Sequence, residues 1–379
     1  MKKILCFIAL TVFITIFSST AYAAEKQSDY YTQQFKQSGA ADLADSLPND
    51  TRKALEDLGV QDADWKGITS ITPQGIFQKV ISVAGGKTSE PLKASFSIIA
   101  VMLLCALMNG MKLSFGEKSM GGVIGMVATL CICAIVINPI VSCIADAAGV
   151  IKASAGFLLA CVPVLVGIMI AAGQPVGASS YNLLMMAAGN VISLLSANIL
   201  VPMMNIFLAL SIVSSISPDT NLNGLCGAFS KIVKWILGFC MTVFTGLLTL
   251  HGIVANALDS TGSRAVKFMV SSFVPVVGSA LGEALHTING CVKMLKSGVS
   301  AFGLLAGAFI FLPIIIECIL WLITLYLCAG IGDIFELKEI TSLLKASSNV
   351  IEILLAMLLC CMMILTVSTV IMMIVGGGS

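Results

Sequence analysis

The chain has 379 residues, of which 58% are hydrophobic and only 11% charged, well under the roughly 25% charge content of soluble domains. That balance excludes an ordinary soluble domain and calls for an all-α, polytopic helical membrane protein. The net charge of +1, with no Lys/Arg run and no basic stripe interleaved with aromatics, gives no basis for binding nucleic acid.

Residues 1–23 read as a cleaved secretory signal peptide: Lys2 and Lys3, an apolar core from Ile4 to Phe17, then Ala21-Tyr22-Ala23 as the small-x-small cleavage site. The mature chain is expected to begin at Ala24, outside the cytoplasm; an uncleaved anchor is the alternative. Residues 24–93 carry 10 acidic and 8 basic side chains and none of the 13 cysteines, so the cysteines are no disulfide framework. Most of them fall in apolar runs, where a thiol acts as a small hydrophobe.

This polar segment has helix signals. Leu43 and Leu47 stand one turn apart, and Pro48-Asn49-Asp50-Thr51 opens a run with Leu55 and Leu58 on one face that stops at Gly59. A second helix has Thr72 as N-cap, Pro73 at its first position, Ile76, Phe77, Val80 and Ile81 on one face, and Gly85-Gly86 as its stop. With few large apolar side chains, the module is too small to form an independent core and is expected to pack on the membrane part or on a partner.

Residues 94–379 form the multi-pass domain, judged against the roughly 20 apolar residues that cross a bilayer. Segments are expected at about 94–111, 121–144 with Asn138-Pro139 near its end, and 155–172, after which Gly173-Gln174-Pro175 breaks the chain. Residues 181–217 are apolar throughout with Asn198 and Pro202 inside, and read either as one long kinked helix or as two short ones. Further segments cover 232–254, 301–327 with Pro313 inside, and 350–375. Counting the long stretch once gives about seven spans and puts the block 259–299 on the cytoplasmic side; splitting it would move the block to the exported side. With seven spans Lys112, Lys118, Arg264, Lys267, Lys293 and Lys296 face inward against Lys152, Lys231, Lys338 and Lys345 outside and Lys234 just inside a span, a weak positive-inside bias. The closing Gly376-Gly377-Gly378-Ser379 supports no argument.

The block 259–299 is the one long interval of the membrane part that mixes charge with apolar residues regularly. Leu281, Leu285, Ile288, Val292, Leu295 and Val299 recur at steps of four and three, with Glu283, His286, Asn289, Lys293 and Lys296 opposite. Such a helix either lies in an interface or stands in a bundle with its polar stripe toward water. Just before it, Arg264-x-x-Lys267-Phe268-x4-Phe273-Val274-Pro275-Val276-Val277-Gly278 follows a Gly- and Ser-bearing turn. This block resembles the most characteristic stretch of the stage III sporulation protein AE family of endospore-forming bacteria. The signal, the short polar module and the order of apolar segments follow that family across nearly the whole chain. The resemblance implies a subunit of the channel complex that joins mother cell and forespore. Its seat would be the mother-cell membrane around the forespore, and its partners would be the same operon's other membrane subunits, forespore channel proteins and a separate ATPase.

No His-Glu-x-x-His, Walker A loop, Gly-x-Ser-x-Gly elbow or dinucleotide fingerprint occurs, so neither catalysis nor a cofactor is expected. His251 and His286 are the only histidines, and Cys131-x-Cys133 and Cys360-Cys361 have no His beside them, so no metal site is expected. Glu317, four residues after Pro313 in an apolar run, is the candidate intramembrane polar group: it lines an ion path, pairs with a basic residue of another helix, or is protonated and hydrogen-bonded. Asn190, Asn198 and Asn205 suit interhelical hydrogen bonds. Gly121/Gly125, Gly278/Gly282 and Gly303/Gly307 offer flat faces for close helix approach, within the chain or between subunits. Candidate assembly residues are Arg264, Lys267, Phe268, Phe273, Pro275, Gly278, Gly282, Lys293 and Lys296. A self-contained secondary transporter using Glu317 is the rival function.

Overall fold

Helical periodicity runs further through this chain than its charges and glycines suggest. The computed structural model describes residues 31–115, 120–171, 173–195, 201–216, 224, 227–250 and 278–374, and every regular element among them is helical. The signal peptide therefore lies outside the described residues, as does most of the block that carries the family resemblance.

The N-terminal module begins with a helical stretch at 31–37 and a 3-10 turn, Ala40–Ser46. Then come α1 (Asn49–Glu56), α2 (Trp65–Thr69) and α3 (Pro73–Lys87). Leu43, Leu47 and Leu55 are buried, and α1 ends where Gly59 adopts φ +85°, a left-handed conformation that favours glycine. Half-buried Tyr31 donates a hydrogen bond of 2.9 Å to Asp64, tying the first helical stretch to the segment just before α2. Burial, then the Asp64 carboxylate, raise the Tyr31 hydroxyl above its ordinary pKa.

The bundle comprises α4 (Ser89–Phe115), α5 (Met120–Ala171), α6 (Pro175–Leu195), α7 (Val201–Ile216), α8 (Gly227–Leu250), α9 (Gly278–Ile334) and α10 (Lys338–Ile374). Among the described residues α4, α5, α8, α9 and α10 are long and apolar enough to cross a membrane, and α7 adds a shorter apolar helix.

Three sequence expectations are corrected here. The segments 121–144 and 155–172 are one helix, α5, running through both Pro139 and Pro163. The reason is a buried stripe that never lapses: Ile140, Ile144, Ala147, Ile151, Ala155 and Leu158 continue it at helical spacing, while Asp146 and Lys152 simply point outward. The stretch 301–327 is likewise the second half of α9, continuous with the amphipathic run before it, and the last helix starts at Lys338, not near Val350. At 52 and 57 residues, α5 and α9 extend about 80 Å at ~1.5 Å per residue, far beyond a hydrocarbon core of ~30 Å. Within the long stretch 181–217 the described parts are helical, α6 to Leu195 and α7 from Val201; residues 196–200, where one kinked helix and two short ones would differ, lie outside the described residues.

Pairwise contacts give the directions. Gly303 meets Thr369 and Gly307 meets Leu365, so α9 and α10 are antiparallel. Phe157 packs on Phe302 and Cys143 reaches Glu317, so α5 is antiparallel to α9 as well. Lys87 beside Glu317 and Met102 beside Gly332 set α4 parallel to α9. The module lies along the first half of α9, with Gly298 against the backbone of Ala63 and Trp65. The opposite end gathers the last part of α4, the start of α5, the end of α9 and the start of α10. An exported module and a cytoplasmic 259–299 block are therefore incompatible: the described part of that block touches the module.

Candidate functional site

Lys87 reaches the bundle because α3 fails to stop. Thr72 caps its start, its hydroxyl accepting from the Gly75 amide at 3.3 Å, with Pro73 in the first turn, as the sequence predicts. The predicted stop at Gly85-Gly86 is not used, because neither glycine turns left-handed; only Gly39, Gly59 and Gly173 do so among the described glycines. The helix runs on to Lys87, and α4 begins two residues later. The predicted apolar face of α3 is only partly covered, leaving Phe77 66% exposed.

At the end of this path the Lys87 ammonium stands 2.7 Å from Glu317 Oε2. Glu317 is 8% exposed, whereas the Lys87 side chain is 44% exposed, so the pair straddles the edge of the core. At that distance the contact is an ion pair at the edge of the core. The Cys143 thiol on α5 donates to the other oxygen, Oε1, at 3.6 Å. Glu317, with Asp146 nearby, holds Lys87 above the ordinary lysine pKa. One carboxylate thus joins the module, α5 and α9. Of the roles the sequence allowed for Glu317, pairing with a basic residue is the one realised, but the base comes from the module and not from another span. Nothing in the sequence singles out Lys87, which lies some 230 positions away.

Lys296 is the opposite case. The sequence puts it on a water-facing stripe with Lys293; the structure leaves Lys293 exposed and buries Lys296 to 5% exposure. The reason is that α9 is covered on two sides. Val292, Leu295 and Val299 are buried as predicted, and on this part of α9 Gly298 faces the module while Gly303 and Gly307 face α10. Among the described residues neither Lys296 Nζ nor Ser300 Oγ has a hydrogen-bond partner.

Arg264, Lys267, Phe268, Phe273 and Pro275 lie outside the described residues. Gly278 and Gly282 open α9, and their surroundings are likewise outside them. The described Gly-x-x-x-Gly positions serve packing within the chain: Gly125 faces the Glu339 side chain, and Gly303 and Gly307 face α10. Asn190 corrects another expectation, since its amide donates to the Met186 carbonyl of its own helix at 2.8 Å. Asn205 is exposed and Asn198 lies outside the described residues. Cys131 is exposed while Cys133 is buried, so the two thiols diverge.

These features define a polytopic helical membrane protein whose polar N-terminal module is tied to its bundle through a buried carboxylate. The sequence profile of the family described as Stage III sporulation protein AE (spore_III_AE) matches residues 60–376. The chain belongs to that family. It is 23% identical over 237 residues to the Stage III sporulation protein AE of Bacillus subtilis (strain 168), an overlap of 62% of this chain and 59% of that protein. The matched region thus spans about three fifths of the length of that curated relative. No solved structure matches the chain.

Proposed function

We propose that the chain is a non-enzymatic membrane subunit of a sporulation channel or secretion complex joining mother cell and forespore, seated in the mother-cell membrane around the forespore. The observation that carries this reading is the family match, which covers nearly all of an apolar helical bundle together with the second half of the polar module fastened to it. Its partners are the same operon's other membrane subunits and forespore channel proteins. Energy would come from a separate ATPase chain, since no Walker A loop occurs in this sequence.

The arrangement of charge supports an orientation. Lys231, Lys234, Lys338 and Lys345 line one cavity at the bundle end that also holds the end of α4, which carries Lys112. The module lies toward the other end. A lysine-rich end facing the cytoplasm and a module facing the space between the two membranes satisfies the positive-inside rule far better than the loop count from sequence.

The rival, a self-contained secondary transporter, needs a carboxylate free to bind and release an ion in alternating states. Glu317 is already engaged by Lys87 and Cys143, which disfavours it. Affinity purification of the chain from sporulating cells tests the proposal: recovery of the operon's other membrane subunits is expected, and their absence overturns it. In liposomes the purified chain alone is expected to pass no solute, and robust flux would favour the transporter.

A further inference from the structure

At the end of the bundle away from the module, α7, α8, α9 and α10 surround an open cavity of about 640 Å³. Lys231 and Lys234 of α8 and Lys338 and Lys345 of α10 line it, against one carboxylate, Asp333. Two of the lysines are partly neutralised: Lys345 pairs with Asp333 at 2.9 Å, and Lys234 reaches Glu352 at 3.5 Å. Lys231 and Lys338 have no ion-pair partner among the described residues. Lys338 also stands in the first turn of α10, where the helix dipole adds positive potential. The Thr341 hydroxyl, on the wall of the same cavity, is buried without a hydrogen-bond partner among the described residues.

The surroundings say what kind of anion fits. On α8, one residue past Lys234, Trp235 is 70% exposed and stacks on Phe239 with ring centroids 5.6 Å apart, and Ile236 is exposed beside them. The same helix therefore offers ammonium groups at the cavity and, running away from it, a bare aromatic and aliphatic surface. A free phosphate would use only the first of these. A molecule with a phosphate head and acyl tails uses both, in the manner of basic pockets between membrane helices that hold lipid headgroups. Exposed tryptophan at the join is the expected marker of headgroup level.

We propose that this cavity binds the phosphate headgroup of an anionic phospholipid, with Lys231 and Lys338 as its principal cationic contacts. The inference rests on the membrane character of the chain alone and stands whether or not the sporulation role above is right.

The test uses the full chain purified in detergent, stripped of lipid, and titrated with phosphatidylglycerol or phosphatidylcholine while bound lipid is counted by native mass spectrometry. Preferential retention of phosphatidylglycerol is expected, weakened roughly thirtyfold in the Lys231→Gln, Lys338→Gln double variant and unchanged in Lys152→Gln, an exposed lysine of α5 outside the cavity. All replaced side chains are exposed, so the variants are expected to keep the elution profile and helical content of the parent. Equal retention of the two lipids overturns the proposal, as does a double variant that binds phosphatidylglycerol like the parent. Displacement of the lipid by an equal concentration of glycerol phosphate would overturn the lipid assignment in favour of a soluble phosphate compound. Displacement by an acidic peptide but not by phosphate compounds would overturn it in favour of a protein partner.

Discussion

Glu317 and Lys296 stand on the same helix, both almost fully buried, and are treated in opposite ways. The carboxylate meets an ammonium and a thiol from two other elements; the ammonium meets no hydrogen-bond partner among the described residues. A buried charge without a partner costs several kcal/mol, so the difference shows where the fold invests in a specific contact and where it tolerates a cost. Glu317 marks the place at which the module must be held in register with the bundle.

The strongest way to break this picture is to separate module from bundle. A side chain at Gly298 meets backbone on the other side, with a Cβ only 2.9 Å from the Ala63 carbonyl oxygen. Gly298→Leu is expected to cost about 3 kcal/mol and to free the module, seen as rapid limited proteolysis of residues 31–87 in detergent. Gly307→Ala is the matched control, because its Cβ meets only the flexible end of Leu365, and a mild loss is expected there. If both variants cleave at the parent's rate, the module is not seated on α9.

Next in size is the ion pair itself. Lys87→Ala leaves Glu317 buried and uncompensated and is expected to lose about 2 kcal/mol, below the usual figure for a buried pair because Lys87 is half exposed. Adding Glu317→Gln to that variant is expected to restore most of the thermal midpoint. Additive losses in the double-mutant cycle would show that the two side chains do not interact.

Lys296 sharpens the contrast from the other side. Lys296→Met removes an unpaired buried ammonium while keeping most of the volume, and a gain of about 1 kcal/mol is expected in thermal unfolding. A loss instead would mean the ammonium has a partner in the assembled complex or in the residues beyond α10. Smallest is Lys293→Glu: the side chain is exposed, so stability is expected to change by less than ~0.5 kcal/mol. Co-purification of the operon's membrane subunits falls only if this face meets a partner. Reversing Lys293 and Lys296 together would not separate these effects, because one of the two is buried.

Much of the local structure was legible. The Thr72-Pro73 start, the Gly59 stop and the buried leucines of the module follow from capping chemistry and one-turn spacing, which involve only neighbouring residues. The run of α5 through residues 145–154 was legible too, in the continuing stripe Ile144, Ala147, Ile151; placing Lys152 in an outer loop hid it. Other errors had no local remedy. Lys296 has the sequence setting of a surface lysine, and only tertiary packing around α9 makes it a buried one.

The sequence by itself determined that this is an all-helical membrane protein of the stage III sporulation protein AE family with a polar N-terminal module. Composition, hydrophobic period and family motif are properties of residues near one another in the chain. Only the tertiary structure decided that α5 and α9 run unbroken past any bilayer's thickness, that the module and the end of the amphipathic block share one side, and that Glu317 belongs to Lys87. Each of these depends on which helices lie side by side, and a charge is surface or core, free or paired, according to what another helix brings against it.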